Sequence, residues 1–361
     1  MDRTRIDVRT DTFRYPVIME AGLLGGLREL LVEEQFAARM FIVSSPTVWR
    51  LHGTVVRRAL PRVECILIAD GERAKTLQTV SRVYDALVAG QADRGAGILA
   101  IGGGVIGDTA GFAAATYLRG ISVAHVPTTL LAQVDSAVGG KVGVNHALGK
   151  NLVGAFHQPR LVAIDPLVLT TLPRREFRAG LYEVVKYGMA FDGALFEQVR
   201  ANTKAIFGRT PEVLAPIITT SCRIKAAVVQ EDERERGRRR LLNFGHTTGH
   251  AIEAITKYRR FRHGEAVALG MIAAADLAVA RGALGIDVRD ALAQLIAALG
   301  PLPSVADLRV EDALEAIRHD KKVVDGRLHF VMPTALGRAI VVDDVAEGEL
   351  TAALGRLGLR K

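Results

Sequence analysis

Residues 97–159, GILAIGGGVIGDTAGFAAATYLRGISVAHVPTTLLAQVDSAVGGKVGVNHALGKNLVGAFHQP, decide the fold. The stretch opens as a short apolar run ending in glycines, the pattern of a buried strand feeding a turn. Gly102, Gly103, Gly104 and Gly107 satisfy G-x-G-x-x-G, and Asp108 opens a small-residue helix over about 109–117. Glycines there let backbone N–H groups approach a pyrophosphate at the positive end of a helix; a plain tight turn is the alternative. Downstream, Pro127-Thr128-Thr129, Asp135, the turn Gly139-Gly140-Lys141 and the pair Lys150-Asn151 place hydroxyls, a carboxylate and ammonium groups in loops between apolar runs. Loops are where a sheet presents its chemistry, and a core needs none of these charges.

Upstream, residues 5–18 alternate like an edge hairpin, and short β-rich runs follow at 39–43, 64–69 and 97–101, separated by helix-like segments such as 77–89. Runs at 121–126 and 161–164 add two more strands. This alternation implies a parallel sheet with helices on its faces. The glycine turn follows the third of these strand-like runs, whereas a standard Rossmann fingerprint follows the first, so the expected fold is a variant. Past Asp165-Pro166 the pattern turns helical, at 175–190, 211–231, 247–258, 264–281, 290–299 and 310–319, with strand-like runs only at 327–332 and 339–342. The expected organisation is an α/β chain: a variant Rossmann-like parallel-sheet domain over 1–168, then a mostly α-helical domain over 169–361.

A chain of 361 residues suits two domains, and 49% hydrophobic with 24% charged residues is ordinary globular composition. The net charge of +8 raises a nucleic-acid partner, but only 5% of residues are aromatic and the cations are spread along the chain. Basic groups converging on a small polyanion fit better. Cys65 and Cys222 lie far apart and outside any C-x-x-C, as expected of reduced thiols in a cytoplasmic protein. The charged, alternating N-terminus does not read as a signal peptide. The apolar stretch 266–280 is cut by Asp276 and reads as too short to span a bilayer, so no membrane partner is expected.

His246, His250 and His263 fall within LLNFGHTTGHAIEAITKYRRFRHGEAV. The first two are four apart, hence on one helix face. Thr247, Thr248 and Gly249 stand between them, so the His-Glu-x-x-His pattern of metalloproteases is absent. Glu183, with Lys186 one turn later, can supply a carboxylate. Two histidines and a glutamate with an open fourth position would make a catalytic zinc site. From spacing alone, surface or capping histidines beside an ordinary helical Glu–Lys pair remain the alternative.

With these residues in view, the chain resembles the 3-dehydroquinate synthases of the sugar-phosphate cyclase family. The likeness runs from about Asp70 to Met332 through DGERAK, GGGVIGD, PTTLLAQVDSAVGGK, GKNLVGAFHQP, TLPRREFRAGLYEVVKYG, DERERG, LLNFGHTTGHAIE, HGEAV and DKKV. The resemblance implies NAD and a divalent metal, Zn2+ or Co2+, as cofactors, and a homodimer. It implies metal ligands Glu183, His246 and His263. For NAD it implies Asp70, Glu72, Lys75, Gly103, Gly104, Asp108, Thr128, Thr129, Lys141, Lys150, Thr171 and Glu176. Family members often carry Asp or Asn at the position of Ser45 to hold the adenosine ribose, and here a hydroxyl stands in. The implied substrate contacts are Asp135, Lys141, Asn151, Lys186, Lys225, Arg239, Asn243, His250 and one of Lys321 or Lys322, with Arg119 reaching the neighbouring subunit's phosphate site. Lys225 and Arg239 are the pair expected to bind a substrate carboxylate.

The implied reaction converts 3-deoxy-D-arabino-heptulosonate 7-phosphate into 3-dehydroquinate and phosphate. It proceeds by transient oxidation, phosphate elimination, re-reduction and intramolecular aldol closure. The alternatives are a related cyclase of the aminodehydroquinate synthase type and a metal-dependent NAD polyol dehydrogenase.

Overall fold

The computed structural model describes residues 3–147, 149–318, 323–324 and 327–361. It divides into two units, Met1–Pro173 with Gly208–Arg234 and Arg174–Phe207 with Glu235–Lys361. In the first unit β1 (Thr4–Arg9) and β2 (Arg14–Met19) form the expected hairpin, followed by α1 (Leu27–Glu33), β3 (Met40–Ser44), α2 (Pro46–Ala59), β4 (Glu64–Leu67) and α3 (Leu77–Ala89). Then come β5 (Gly97–Gly102), α4 (Gly104–Thr116), β6 (Ser122–Pro127), β7 (Lys141–His146), β8 (Gly149–Phe156) and β9 (Leu161–Ile164).

Seven strands make one sheet in the order β1-β2-β9-β6-β5-β3-β4, parallel throughout except for β1. Every residue of β5 and β9 is buried, which is why these strands read as continuous apolar runs rather than as alternation. The chain runs from β3 outward to β4, then re-enters on the other side of β3 as β5. Strand order therefore reverses between β3 and β5, and the glycine turn sits at the carboxyl end of β5. In open α/β sheets such a switch point is where ligands bind.

Two local expectations change. α4 starts at Gly104, with Gly103 as its N-cap, instead of near residue 109. The residues around Lys141 and Lys150, read as loops, pair instead as the antiparallel hairpin β7–β8. Val142 and Val144 bury in the core that α4 also lines, and this burial supplies the strand that the glycine-rich sequence does not advertise.

α5 (Arg174–Ala190) and α6 (Gly193–Ile206) belong to the second unit, and the chain returns to the first as α7 (Pro211–Glu231). Where a single boundary at 168/169 is expected from the sequence, the two compact units are discontinuous in sequence. α7 stays with the first unit through contacts to a π-helical turn at Ala132–Ser136: Lys225 pairs with Asp135, and Cys222 Sγ donates to the Gln133 carbonyl at 3.2 Å.

The rest of the second unit is α8 (His246–Ile255), α9 (His263–Ala280), α10 (Ile286–Leu299), α11 (Val310–Arg318), β10 (Val323–Val324), β11 (Arg327–Leu328), β12 (Phe330–Ala335), β13 (Arg338–Val342) and α12 (Glu347–Leu357). The mostly helical character expected of this part holds. α9 corrects one reading: its 18 residues are long and apolar enough to cross a membrane, yet 78% of that span is buried inside the protein. Its two acids are bound, Glu265 by Arg175 and Arg178 and Asp276 by Arg289, so it is a core helix.

Two glycines set how closely α9 packs. A Cβ on Gly270 would lie 1.9 Å from the Gly245 carbonyl just before α8, and one on Gly264 would lie 1.9 Å from the Ala179 carbonyl of α5. Backbone meets backbone at both crossings, so the N-terminus of α9 has little freedom relative to α5 and α8.

Candidate active site

Those crossings bring residues from three helices of the second unit together. Glu183 and Lys186 share one face of α5, His246 opens α8 with His250 one turn on, and His263 opens α9. One side-chain nitrogen from each of His246, His250 and His263 lies within 4.8 Å of the others. Glu183 Oε1 stands 3.7 Å from His246 Nε2 and 3.5 Å from His263 Nε2, while its Oε2 meets Lys186 Nζ at 2.5 Å. Glu183 is 0% exposed and Lys186 1%.

The Nδ1 atoms of His246 and His263 are engaged. His246 Nδ1 lies 3.1 Å from the Phe244 carbonyl, and His263 Nδ1 lies 3.1 Å from Glu253 Oε2. Burial pulls the His263 imidazole down, but the carboxylates of Glu253 and Glu183 outweigh it and push it up to about 10. Two buried carboxylates facing three imidazoles, with the Lys186 ammonium already paired to Glu183, make a cluster in which positive charge is favoured. Imidazole and carboxylate donors suit a divalent metal such as zinc or cobalt. The geometry thus gathers Glu183, Lys186, His246, His250 and His263 as the sequence led one to expect, and adds Glu253. Glu253 is legible in hindsight, lying three residues after His250 and seven after His246 on the same helical face.

Nearby in the same unit, Arg239 is buried in the 3-10 turn Arg238–Asn243 that precedes α8, and Asn243 Nδ2 donates to Glu235 Oε1 at 2.8 Å. Glu176, expected at NAD, pairs with Arg262 at 2.6 Å in the approach to α9. Lys321 and Lys322 lie outside the described residues.

The first unit builds a second cluster at the carboxyl edge of its sheet. Lys75 Nζ contacts the Asp108 carboxylate on α4 and donates to Asn151 Oδ1 at 2.5 Å. Burial pushes the Asp108 carboxyl up, and Lys75 pulls it part of the way back. Asn145, which sequence reading missed, holds the group together. Its Nδ2 donates to Glu72 Oε1 at 2.8 Å, its Oδ1 accepts from the Asn151 amide at 3.0 Å, and its own amide donates to the Lys75 carbonyl at 2.9 Å. Asn151 adopts φ 54, a left-handed conformation that asparagine tolerates better than most residues.

Beside the glycine turn, the Thr128 amide donates to the Gly102 carbonyl at 3.0 Å, and Thr129 Oγ1 accepts from the Ala132 amide at 3.1 Å. The Thr128 hydroxyl is buried without a hydrogen-bond partner, and the Gly103 N-cap of α4 has no side-chain cap. An unmatched hydroxyl next to uncapped helix N–H groups fits the phosphates or ribose of a dinucleotide. Asp135 and Lys225 pair directly, Lys141 is exposed, and Lys150 is half-buried.

Other expected residues sit differently. The hydroxyl of the buried Ser45 caps α2, accepting from the Val48 amide at 3.3 Å. Asp70 instead stands at that helix start, accepting from Thr47 Oγ1 at 2.9 Å. Thr171 Oγ1 meets His52 Nε2 at 3.0 Å. Arg119 is exposed on a turn where it and Leu118 take φ 69 and 49.

Residues 65–179 match the family "3-dehydroquinate synthase N-terminal", and residues 180–323 match "3-dehydroquinate synthase C-terminal". The chain belongs to the 3-dehydroquinate synthase family. It is 50% identical over 328 residues to the 3-dehydroquinate synthase of Thermosynechococcus vestitus, covering 89% of each chain. Among solved structures it is similar to ValA, a 2-epi-5-epi-valiolone synthase from Streptomyces hygroscopicus subsp. jinggangensis with NAD+ and Zn2+ bound. That match has a TM-score of 0.88 at 30% identity and covers 98% of this chain and 99% of that one. It is also similar to a 2-deoxy-scyllo-inosose synthase complexed with carbaglucose-6-phosphate, NAD+ and Co2+. There the TM-score is 0.83 at 26% identity, covering 97% and 99%.

Proposed function

We propose that this chain converts 3-deoxy-D-arabino-heptulosonate 7-phosphate into 3-dehydroquinate and inorganic phosphate, the ring-forming step of aromatic amino-acid biosynthesis by the shikimate pathway. The observation that carries the reading is the Glu183–His246–His263 set with Lys186 and His250 beside it, within a chain 50% identical to a 3-dehydroquinate synthase. Glu183, His246 and His263 would hold the metal, which when bound supplies Lewis-acid polarisation of a substrate hydroxyl. The Gly103–Gly104 turn, Thr128, Thr129, Asp108, Lys75, Glu72, Asp70, Lys141 and Lys150 would hold NAD, which supplies a hydride acceptor and returns the hydride in the same turnover.

The chain's own groups do the rest. Lys186, anchored by Glu183, donates to a substrate hydroxyl and keeps its orientation. The His250 imidazole relays the proton that hydroxyl gives up and later returns it to the re-formed alcohol. Asn151 and Lys141, with one of Lys321 or Lys322, donate to the phosphate oxygens, and several converging donors stabilise the departing dianion. Arg239 binds the substrate carboxylate as a buried cation, and Lys225, steadied by Asp135, is a second cation for the same anionic substrate. Once the ring opens, both reacting carbons stay in one site, so proximity replaces further acid–base groups in the aldol closure.

The same reading makes the enzyme a homodimer in the cytoplasm. Arg119 would be lent to the phosphate site of the neighbouring subunit, which suits an exposed arginine on a left-handed turn.

The test is product identity. Purified protein given the heptulosonate phosphate, zinc and a trace of NAD should release phosphate and form the carbocycle by NMR, in many-fold excess over NAD. Steady NADH accumulation without phosphate release would instead identify a polyol dehydrogenase. Faster cyclisation of sedoheptulose 7-phosphate, which lacks the carboxylate, would identify a different cyclase.

A further inference from the structure

We propose that Glu253 is a positioning residue for the metal site, acting entirely through His263. The inference rests on the metal reading above and concerns a residue that this reading leaves without a task. Glu253 is 2% exposed, and no buried carboxylate is kept without a partner that offsets its desolvation. Its Oε2 lies 3.1 Å from His263 Nδ1, and the two residues approach from different helices, α8 and α9.

An acceptor at that nitrogen requires the N–H to sit on Nδ1. With the Nδ1 proton held there, Nε2, 3.5 Å from Glu183 Oε1, is the nitrogen that gives up its proton and ligates when a metal binds. One contact thus selects the tautomer, fixes the ring plane and raises the basicity of the ligating nitrogen. His246 needs no such carboxylate, because the Phe244 carbonyl at 3.1 Å plays the same part for its Nδ1.

The backbone supports the assignment. α8 ends at Ile255, and the Glu253 carbonyl accepts from the Tyr258 amide at 2.7 Å, closing a turn in which Lys257 and Tyr258 take φ 53 and 55. Two successive non-glycine residues in the left-handed region cost energy, and such strain persists where the surroundings over-determine it. Here the turn reverses the chain so that His263, ten residues after Glu253, comes back to its side chain. Glu265 then bonds the Arg262 amide at 2.9 Å and holds the start of α9. The carboxylate and its histidine are therefore presented by rigid backbone on both sides.

The experiment is a double-mutant cycle read as zinc affinity of the apoprotein, by competition with a chromophoric chelator. Glu253→Ala should weaken zinc binding roughly 10–100-fold, the range for losing such an outer partner. Glu253→Gln, nearly the same shape and still able to accept the N–H, should fall between wild type and Glu253→Ala and keeps the test open if the alanine variant misfolds. Because Glu253 acts through His263, the Glu253→Ala/His263→Ala double variant should bind zinc no more weakly than His263→Ala alone. Cobalt-loaded Glu253→Gln should also show an altered visible spectrum, which a merely structural role would not produce.

Wild-type zinc affinity in both Glu253 variants, or fully additive losses in the double variant, would overturn the inference. Wild-type protein that bound no zinc, or His263→Ala protein that bound it normally, would overturn the metal reading itself and this inference with it.

Discussion

Gly264→Ala offers the sharpest test of how the helices set the metal ligands. Its φ is not in the left-handed region, and alanine favours a helix over glycine by about 1 kcal/mol, so propensity alone makes the change stabilising. Space argues the opposite. The new Cβ would lie 1.9 Å from the Ala179 carbonyl oxygen and 2.7 Å from its carbon, both backbone atoms of α5 that cannot rotate away. A carbon–oxygen contact settles at roughly 3.3 Å or more, so α9 and α5 must part by about 1.4 Å at this point.

Ala179 lies one turn before Glu183, and Gly264 follows His263 directly. The displacement therefore falls on two of the three proposed ligands. Metal ligation tolerates roughly 0.2 Å, and misplacement by about 1 Å costs on the order of 100-fold in rate. The expected protein is folded but loosened by about 1–3 kcal/mol, the range for an overpacked contact. It should bind zinc about 100-fold more weakly and turn over in proportion. Chelator competition for zinc, phosphate release under saturating metal and a urea titration measure the three quantities. A Gly264→Ala protein with wild-type zinc affinity and turnover would refute the claim that the α5–α9 crossing sets the ligand spacing.

Three other outcomes are expected. Glu265→Ala removes the acceptor of Arg175, Arg178 and the Arg262 amide, and with Arg178 mostly buried the loss should be about 3–5 kcal/mol in urea unfolding; a loss below about 1 kcal/mol would show that these arginines rehydrate freely. His125 is buried and its imidazole is pulled down to about 4, first by burial and then by His157. The unfolded chain takes up a proton below about pH 6.5 that the folded one refuses until about pH 4, so stability should fall as pH drops through that window, by about 2 kcal/mol between pH 7 and 5. His125→Gln should abolish that slope, and an unchanged slope would assign it to other groups. Asn145→Ala strips the Glu72 carboxylate and the Asn151 amide of a shared partner and should weaken NAD binding about 10-fold by fluorescence titration, equivalent to one or two lost hydrogen bonds; unaltered NAD affinity would count against the Glu72 segment as part of the cofactor site.

What the sequence by itself determined is local. The apolar run 97–101 with its glycines specifies a buried strand and a tight turn into a helix, because strand burial and turn conformation are properties of neighbouring residues. The four-residue spacing of His246 and His250, and the three-residue spacing of Glu183 and Lys186, likewise place each pair on one helical face whatever surrounds them. Only the tertiary structure decided which faces meet. Glu183 and His263 are 80 positions apart, and their 3.5 Å approach depends on a glycine letting two backbones touch. Asn145 and Glu72 are 73 apart, and nothing in GKVGVNH marks the asparagine as the residue that binds the Glu72 loop to the hairpin. The Ser45 hydroxyl caps its helix for the opposite reason, since the Val48 amide it accepts from lies only three residues away. α7 reads as a helix from sequence, yet its return to the first unit depends on packing against Asp135 and Gln133, residues about ninety positions earlier. Helices and strands are chosen by short-range sterics and hydrogen bonding. The geometry of the site is chosen by long-range packing, where a single missing Cβ lets the helices that carry Glu183 and His263 come together.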